Sequence, residues 1–181
     1  TIKFPLVSIP RYATLHDMAW YFYPSGYRIK ERIKSWIWFQ LCTRYCAGIV
    51  TFANHTLSDL RKLRPACPIP IRIIPEGVDP TFERLPLLRH SKETLDELGV
   101  SEPYILAVSS LMPRKNLNTL IHAYARIVEQ DAIPHQLVFV GQPMWRSARL
   151  NSLVSSLGLE TRVRFTGYIN DEQLAQLYNQ A

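Results

Sequence analysis

The chain is poor in the residues that build the commonest nucleotide and metal sites. Its 181 residues hold only seven glycines, and they are scattered. None forms a GxGxxG fingerprint or a Walker-type loop, so the backbone cradles of NAD-dependent enzymes and P-loop NTPases are excluded. Three cysteines, Cys42, Cys46 and Cys67, are too few for a disulfide framework. Cys42 and Cys46 stand four apart on an expected helix, but no further Cys or His completes a zinc set, and buried thiols are expected there. No run of about 18 uncharged apolar residues occurs, which excludes a membrane-spanning helix. No secretory leader is visible, and a reducing, cytoplasmic setting is the expectation.

What is present is a globular composition with uneven charge. Hydrophobic residues make up 47% and charged residues 20%, enough apolar material for a real core. Residues 1–64 carry 10 Lys/Arg against 3 Asp/Glu, a net +7, whereas residues 65–181 carry 11 against 12, a net −1. The basic character therefore belongs to the first third, and the asymmetry points to two domains with different partners.

The second part has a regular order. YILAVSS (104–110), QLVFVG (136–141) and VRFTGY (163–168) are short apolar runs expected as buried strands. Helices are expected over 116–130, with Leu117, Leu120, Ile121, Tyr124, Ile127 and Val128 at helical spacing, over 145–157 ahead of Gly158, and over 170–180 behind an Asn cap. This βαβαβα order implies a parallel sheet. The first part shows the same alternation more faintly. YATLHDMA (12–19) is expected to run from a strand into a loop. A helix follows from about Tyr27 to Ala47, with Ile29, Ile33, Trp36, Ile37, Leu41 and Tyr45 on one face. A strand at 48–53, a short helix capped by Asn54 or Thr56, and a strand at 71–78 complete it. Residues 79–102, with Pro80, Pro86, many charges and the short helix SKETLDEL, are expected to connect the domains.

Three places carry candidate chemistry. Arg114 and Lys115 lie between the first strand of the second part and its following helix, at the carboxyl edge where open α/β sheets bind ligands. A helix amino end favours phosphate, and a lysine adds a point charge suited to a diphosphate. A solvated turn capped by Asn116 competes with that reading. His16, followed by Asp17, ends a strand and could contact a sugar hydroxyl or move a proton; taken alone, a histidine held by backbone beside a turn-capping aspartate is the stronger reading. His55, His90, His122 and His135 show no partner in sequence and receive no chemistry. Residues 19–40, AWYFYPSGYRIKERIKSWIWFQ, interleave aromatics with Arg28, Lys30, Arg32 and Lys34. That composition suits an anionic membrane surface or stacking of single-stranded nucleic acid, against a core helix with a solvated outer face. Burial is expected for Trp36–Cys42, with an interfacial role kept for the basic face.

Taken together, TLHDMAWYFYP, AGIVTFANHTLSDL, IRIIPEGVDPTF, LGVSEPYILAVSSLMPRKNLNTLIHAYARI, QLVFVG and VRFTGYINDEQLAQLY resemble, in order, the retaining glycosyltransferases of family 4 with a GT-B fold. The resemblance implies an α/β protein of two Rossmann-like domains with parallel sheets, both incomplete in this chain: residues 1–78 from the acceptor-side domain, 79–102 as linker, and 103–181 as the first half of the nucleotide-sugar domain. It implies that Lys115 contacts the donor diphosphate, with Arg114 a neighbour of less certain role. Ser110 stands where many members place an arginine, so phosphate binding leans more on Lys115. His16 matches a cleft histidine that touches the transferred sugar. Gly167 and Tyr168 match a turn beside the nucleobase. Glu76 replaces a more usual Asn and is taken to mark the linker rather than chemistry.

The same resemblance implies a sugar, such as mannose, moving from a nucleotide diphosphate sugar to a glycan or lipid-linked acceptor. No cofactor and no metal are implied, and no DxD-like carboxylate pair speaks against that. The acidic motif of the family is expected beyond Ala181, so the 181 residues are expected to be inactive alone. A cytoplasmic location, peripheral at the inner membrane face, would suit the basic first third; no nucleic acid partner is expected. A GT-B nucleotide-sugar epimerase and a non-enzymatic basic membrane- or polyanion-binding module remain the alternatives.

Overall fold

A computed structural model describes residues 9–84, 92–130, 133–143 and 148–181. Pro86 and His90 of the expected linker, and residues 145–147 of the helix expected over 145–157, lie outside the described residues. Two compact units divide between Gly77 and Val78.

The first unit contains β1 (Tyr12–Thr14), α1 (Ala19–Phe22), α2 (Ile29–Tyr45), β2 (Gly48–Thr51), α3 (Asn54–Leu63) and β3 (Ile71–Ile73). The strands pair in parallel in the order β1-β2-β3, with Thr14 opposite Val50 and Thr51 opposite Ile73. β3 is shorter than the expected 71–78 run. After Ile74 donates its N–H to the Thr51 carbonyl (2.9 Å), Pro75 has no N–H to continue the ladder. α3 begins at Asn54 with Ala53 in the cap position, so neither Asn54 nor Thr56 caps it.

The buried face of α2 differs from the expected one. Phe39, Cys42 and Cys46, at the end of the helix, pack against Ala13, Leu15, Ile49 and Leu60. Ile29, Ile33, Trp36, Ile37 and Tyr45 are exposed instead. Thus only part of the Trp36–Cys42 run is inside. α2 carries two apolar stripes, and a sheet can cover only one of them. The 39/42/46 spacing meets β1 and β2, where full burial of a Phe contributes about 2 kcal/mol.

The second unit contains α4 (Lys92–Leu98), β4 (Tyr104–Val108), α5 (Leu117–Glu129), β5 (Gln136–Val140), α6 (Ala148–Ser156), β6 (Val163–Gly167) and α7 (Asp171–Gln180). Its sheet is also parallel, in the order β4-β5-β6. β5 is buried on both faces, as the continuous apolar run of a covered parallel strand should be. Leu137 and Phe139 join Leu117, Ile121, Tyr124, Leu150 and Val154 on the α5/α6 side. Val138 and Val140 join Leu95, Val100, Tyr104, Ile169 and Leu177 on the α4/α7 side. α7 opens as expected: Asn170 Oδ1 accepts from the Gln173 N–H (2.8 Å), and Gln173 Oε1 accepts from the Asn170 N–H (3.3 Å). The 3₁₀ turn Pro80–Phe82 lies against α7, where the Phe82 and Tyr178 rings meet edge to face at 6.0 Å.

Candidate functional site

The carboxyl edge of the second sheet is tied together by backbone contacts. The Ser109 N–H donates to the Val140 carbonyl (2.9 Å), the Gly141 N–H to the Gly167 carbonyl (2.9 Å), and the Leu111 N–H to the Gln142 carbonyl (3.0 Å). Ser109 and Ser110 follow β4, Gly141 follows β5, and Gly167 ends β6, so the three strand ends lie side by side. Gly141 has φ of +144°, and a Cβ there would sit 2.0 Å from the Ser109 carbonyl oxygen. Gly167 has φ of +77°, a conformation glycine adopts without strain, and the next residue, Tyr168, is exposed.

Beyond Ser110 the chain makes a 3₁₀ turn at Pro113–Lys115, closed by the Lys115 N–H donating to the Met112 carbonyl (3.0 Å). Asn116 then adopts the left-handed conformation (φ 54°, ψ 36°) that reverses the chain into α5, a conformation that Asn tolerates better than most residues. Its side chain does not bond the helix N–H groups. Asn116 Oδ1 instead accepts from the Thr119 hydroxyl (2.9 Å). The side chains of Arg114 and Lys115 are exposed on this turn, at the amino end of α5, and Ser110 is half-buried. A helix start, whose first N–H groups lack intrahelical carbonyl partners one turn back, carries a partial positive charge, and the two cations add to it.

His16 lies in the first unit, at the equivalent edge of the other sheet. Its carbonyl accepts from the hydroxyl of buried Thr56 (3.1 Å). Its ring rests against Phe52, with centroids 4.6 Å apart. Its Nδ1 is 3.4 Å from Oε1 of Glu76, and the two side chains are 69% and 62% exposed. Asp17 Oδ1 accepts from the Ala19 N–H (3.0 Å), the turn-capping role considered for it. Glu76 was taken as a linker marker on sequence; the structure brings it to His16 instead. One visible signal is its place just past a strand, the same topological place His16 and Phe52 occupy. Gly141 is the other residue the sequence left without a role, although a glycine directly after a buried strand was visible.

One other expectation changes. His55 has a partner: its Nε2 is 3.3 Å from Asp59 Oδ2, one helical turn away, and Lys62 Nζ bonds the other oxygen of Asp59 at 2.8 Å. Cys42 and Cys46 are buried free thiols and Cys67 is half-buried. Among the described residues, no group of three His, Cys, Asp or Glu side chains could hold a metal ion, and no helix is long and apolar enough to cross a membrane.

Residues 93–181 match the family described as glycosyl transferases group 1. The serotype-specific mannosyltransferase WbdA of Escherichia coli is 32% identical over 105 residues, which is 56% of this chain and 12% of WbdA. Among solved structures, Anabaena Alr3699/HepE in complex with UDP-glucose superposes with a TM-score of 0.70 at 22% identity, over 93% of this chain and 44% of that one. WaaG, a glycosyltransferase involved in lipopolysaccharide biosynthesis, gives 0.67 at 19% identity, over 93% of this chain and 48% of WaaG. The chain thus spans less than half the length of each of these proteins. The structural likeness establishes the fold as that of the GT-B glycosyltransferases.

Proposed function

We propose that this chain is part of a retaining glycosyltransferase of family 4, a reading supported by the match of residues 93–181 to the glycosyl transferases group 1 family. The enzyme moves a sugar, mannose in the first instance, from a nucleotide diphosphate sugar to a glycan or lipid-linked acceptor. The observation that carries this reading is the position of Lys115, exposed on the turn that leaves β4 at the carboxyl edge of the sheet. Sugar transfer with a diphosphate leaving group builds negative charge on the departing phosphate. A fixed cation and helix N–H groups lower that barrier electrostatically. In this proposal Lys115 is the principal diphosphate contact, with Arg114 and Ser110 beside it. The backbone around Gly167 and Tyr168 faces the nucleobase, and His16 orients the transferred sugar. No resident cofactor or metal takes part.

Mannose is favoured because WbdA, the relative matched over 105 residues, is a mannosyltransferase. A lipid-linked acceptor is favoured by the exposed face of α2. Ile29, Ile33, Trp36 and Ile37 stand out there, interleaved with Lys30, Arg32 and Lys34, in the part of the chain with net charge +7. That arrangement fits peripheral contact with an anionic membrane.

Calorimetric titration of the full-length protein with UDP, GDP and ADP tests the donor site. One nucleotide is expected to bind, and Lys115→Ala to weaken it at least about tenfold, the scale of one charge-assisted contact. Unchanged affinity in Lys115→Ala would overturn the assignment. Transfer that survives EDTA is the expected result for a metal-free site.

A further inference from the structure

Three consecutive parallel strands deliver one side chain each to the same edge of the first sheet. His16 comes two residues after β1, Phe52 directly after β2, and Glu76 three residues after β3. Hydrogen bonds hold the backbone at or just before these places. The Leu15 N–H donates to the Val50 carbonyl (2.9 Å), the Ile74 N–H to the Thr51 carbonyl (2.9 Å), and the His16 carbonyl is held by Thr56. The Phe52 ring packs against the imidazole at a tilt of 52°. Of the two ring nitrogens, Nδ1 is the one beside the Glu76 carboxylate. In a neutral histidine, the group next to one nitrogen decides which nitrogen carries the proton.

We propose that Glu76 is a positioning residue for His16. Its carboxylate takes the Nδ1–H of the neutral imidazole, fixes that tautomer, and leaves Nε2 as a lone pair that accepts from a hydroxyl of the transferred sugar. This rests on the glycosyltransferase reading given above, but makes a separate claim: His16 meets the sugar as a hydrogen-bond acceptor, and a residue sixty positions away in sequence makes it one. An unsupported imidazole would be free to present Nε2–H, a donor, to the same hydroxyl. Both side chains are largely exposed, so the pair contributes little to stability, as surface pairs generally do. Its effect is on which atom carries a proton.

The test uses the full-length protein labelled with ¹⁵N-histidine at about pH 8.5, where an ordinary imidazole is neutral. His16 is assigned by the signal lost in His16→Ala. Long-range ¹H–¹⁵N spectra are expected to show His16 protonated on Nδ1 in the wild type and shifted toward Nε2–H in Glu76→Ala. Glu76→Gln is expected to keep Nδ1–H, because its amide oxygen still accepts. In transfer assays, Glu76→Ala should lower kcat about tenfold, the scale of one hydrogen bond, with nucleotide affinity unchanged, and Glu76→Gln should recover most of that loss. A wild-type His16 protonated on Nε2, or a tautomer indifferent to Glu76→Ala, overturns the proposal while leaving the Lys115 titration intact. Absence of nucleotide binding in the wild type instead removes the glycosyltransferase reading, and with it the sugar as the partner of Nε2.

Discussion

The carbonyl oxygen of Ser109 occupies the space where a side chain at position 141 would begin: a Cβ on Gly141 would approach it to 2.0 Å. The loops after β4 and β5 can be this close only because residue 141 has no side chain. Gly141→Ala is therefore expected to be costly twice over, through the clash and through a φ of +144° that L-residues rarely adopt. We expect a loss of about 3 kcal/mol, read by urea denaturation. Because the same loops lead to Ser110 and the Lys115 turn, nucleotide affinity should fall as well. Gly158→Ala, where a Cβ meets nothing within 4 Å although φ is also positive (+65°), should cost less, about 1 kcal/mol.

Tyr104 anchors α7 to the sheet. Its hydroxyl donates to the Leu177 carbonyl at 2.8 Å within the core. Tyr104→Phe should destabilise the second unit by about 1–2 kcal/mol, lowering Tm by a few degrees in a thermal melt. Burial, reinforced by the negative charge of Glu102, pushes the phenol well above its ordinary range. The unfolded phenol ionises first as pH rises. The contribution is thus fully present below about pH 10 and is lost as pH climbs above that. The alkaline limb of a stability–pH curve should be shallower in Tyr104→Phe.

The thiols should differ in reactivity. Burial, then the proximity of Cys46, pushes the Cys42 thiol up to about 12, so almost no thiolate is present near neutrality. With Ellman's reagent at about pH 8, half-buried Cys67 should react first, and Cys42 only on unfolding. Since the unfolded thiol titrates near 8.5, the Cys42 contribution to stability is present below about pH 8.5 and fades as pH rises toward the native value.

The exposed face of α2 makes a separable prediction. Replacing Ile33 and Ile37, 53% and 52% exposed, with Ser should leave the melting temperature nearly unchanged, since neither belongs to the buried core. Flotation of the full-length protein with vesicles containing about 30% anionic lipid should fall several-fold in that variant and at high salt. Equal flotation with neutral vesicles would remove the electrostatic part of the proposal.

Much of the second unit was legible in the residues themselves. Alternating apolar runs and 3.6-residue periods placed β4, β5, β6, α5 and α7 to within a few residues. The Asn170 cap was legible because that interaction is local; its reciprocal partner Gln173 was added by the structure. The turn at Arg114 and Lys115 was legible for the same reason: Pro113 starts it and Asn116 ends it. Which stripe of α2 would be buried was not legible, since both stripes are apolar and the decision belongs to β1 and β2, which lie elsewhere in the chain. The pairing of His16 with Glu76 was hidden for a related reason. Sixty residues separate them, and only the parallel register of three strands carries them to one edge. Sequence by itself thus determined most of the elements and the cations on the turn after β4, because propensity, caps and periodicity act over a few residues. The tertiary structure alone decided which helix face is covered, how closely Gly141 meets Ser109, and which nitrogen of His16 faces a carboxylate, because each depends on atoms that come together only when the strands align.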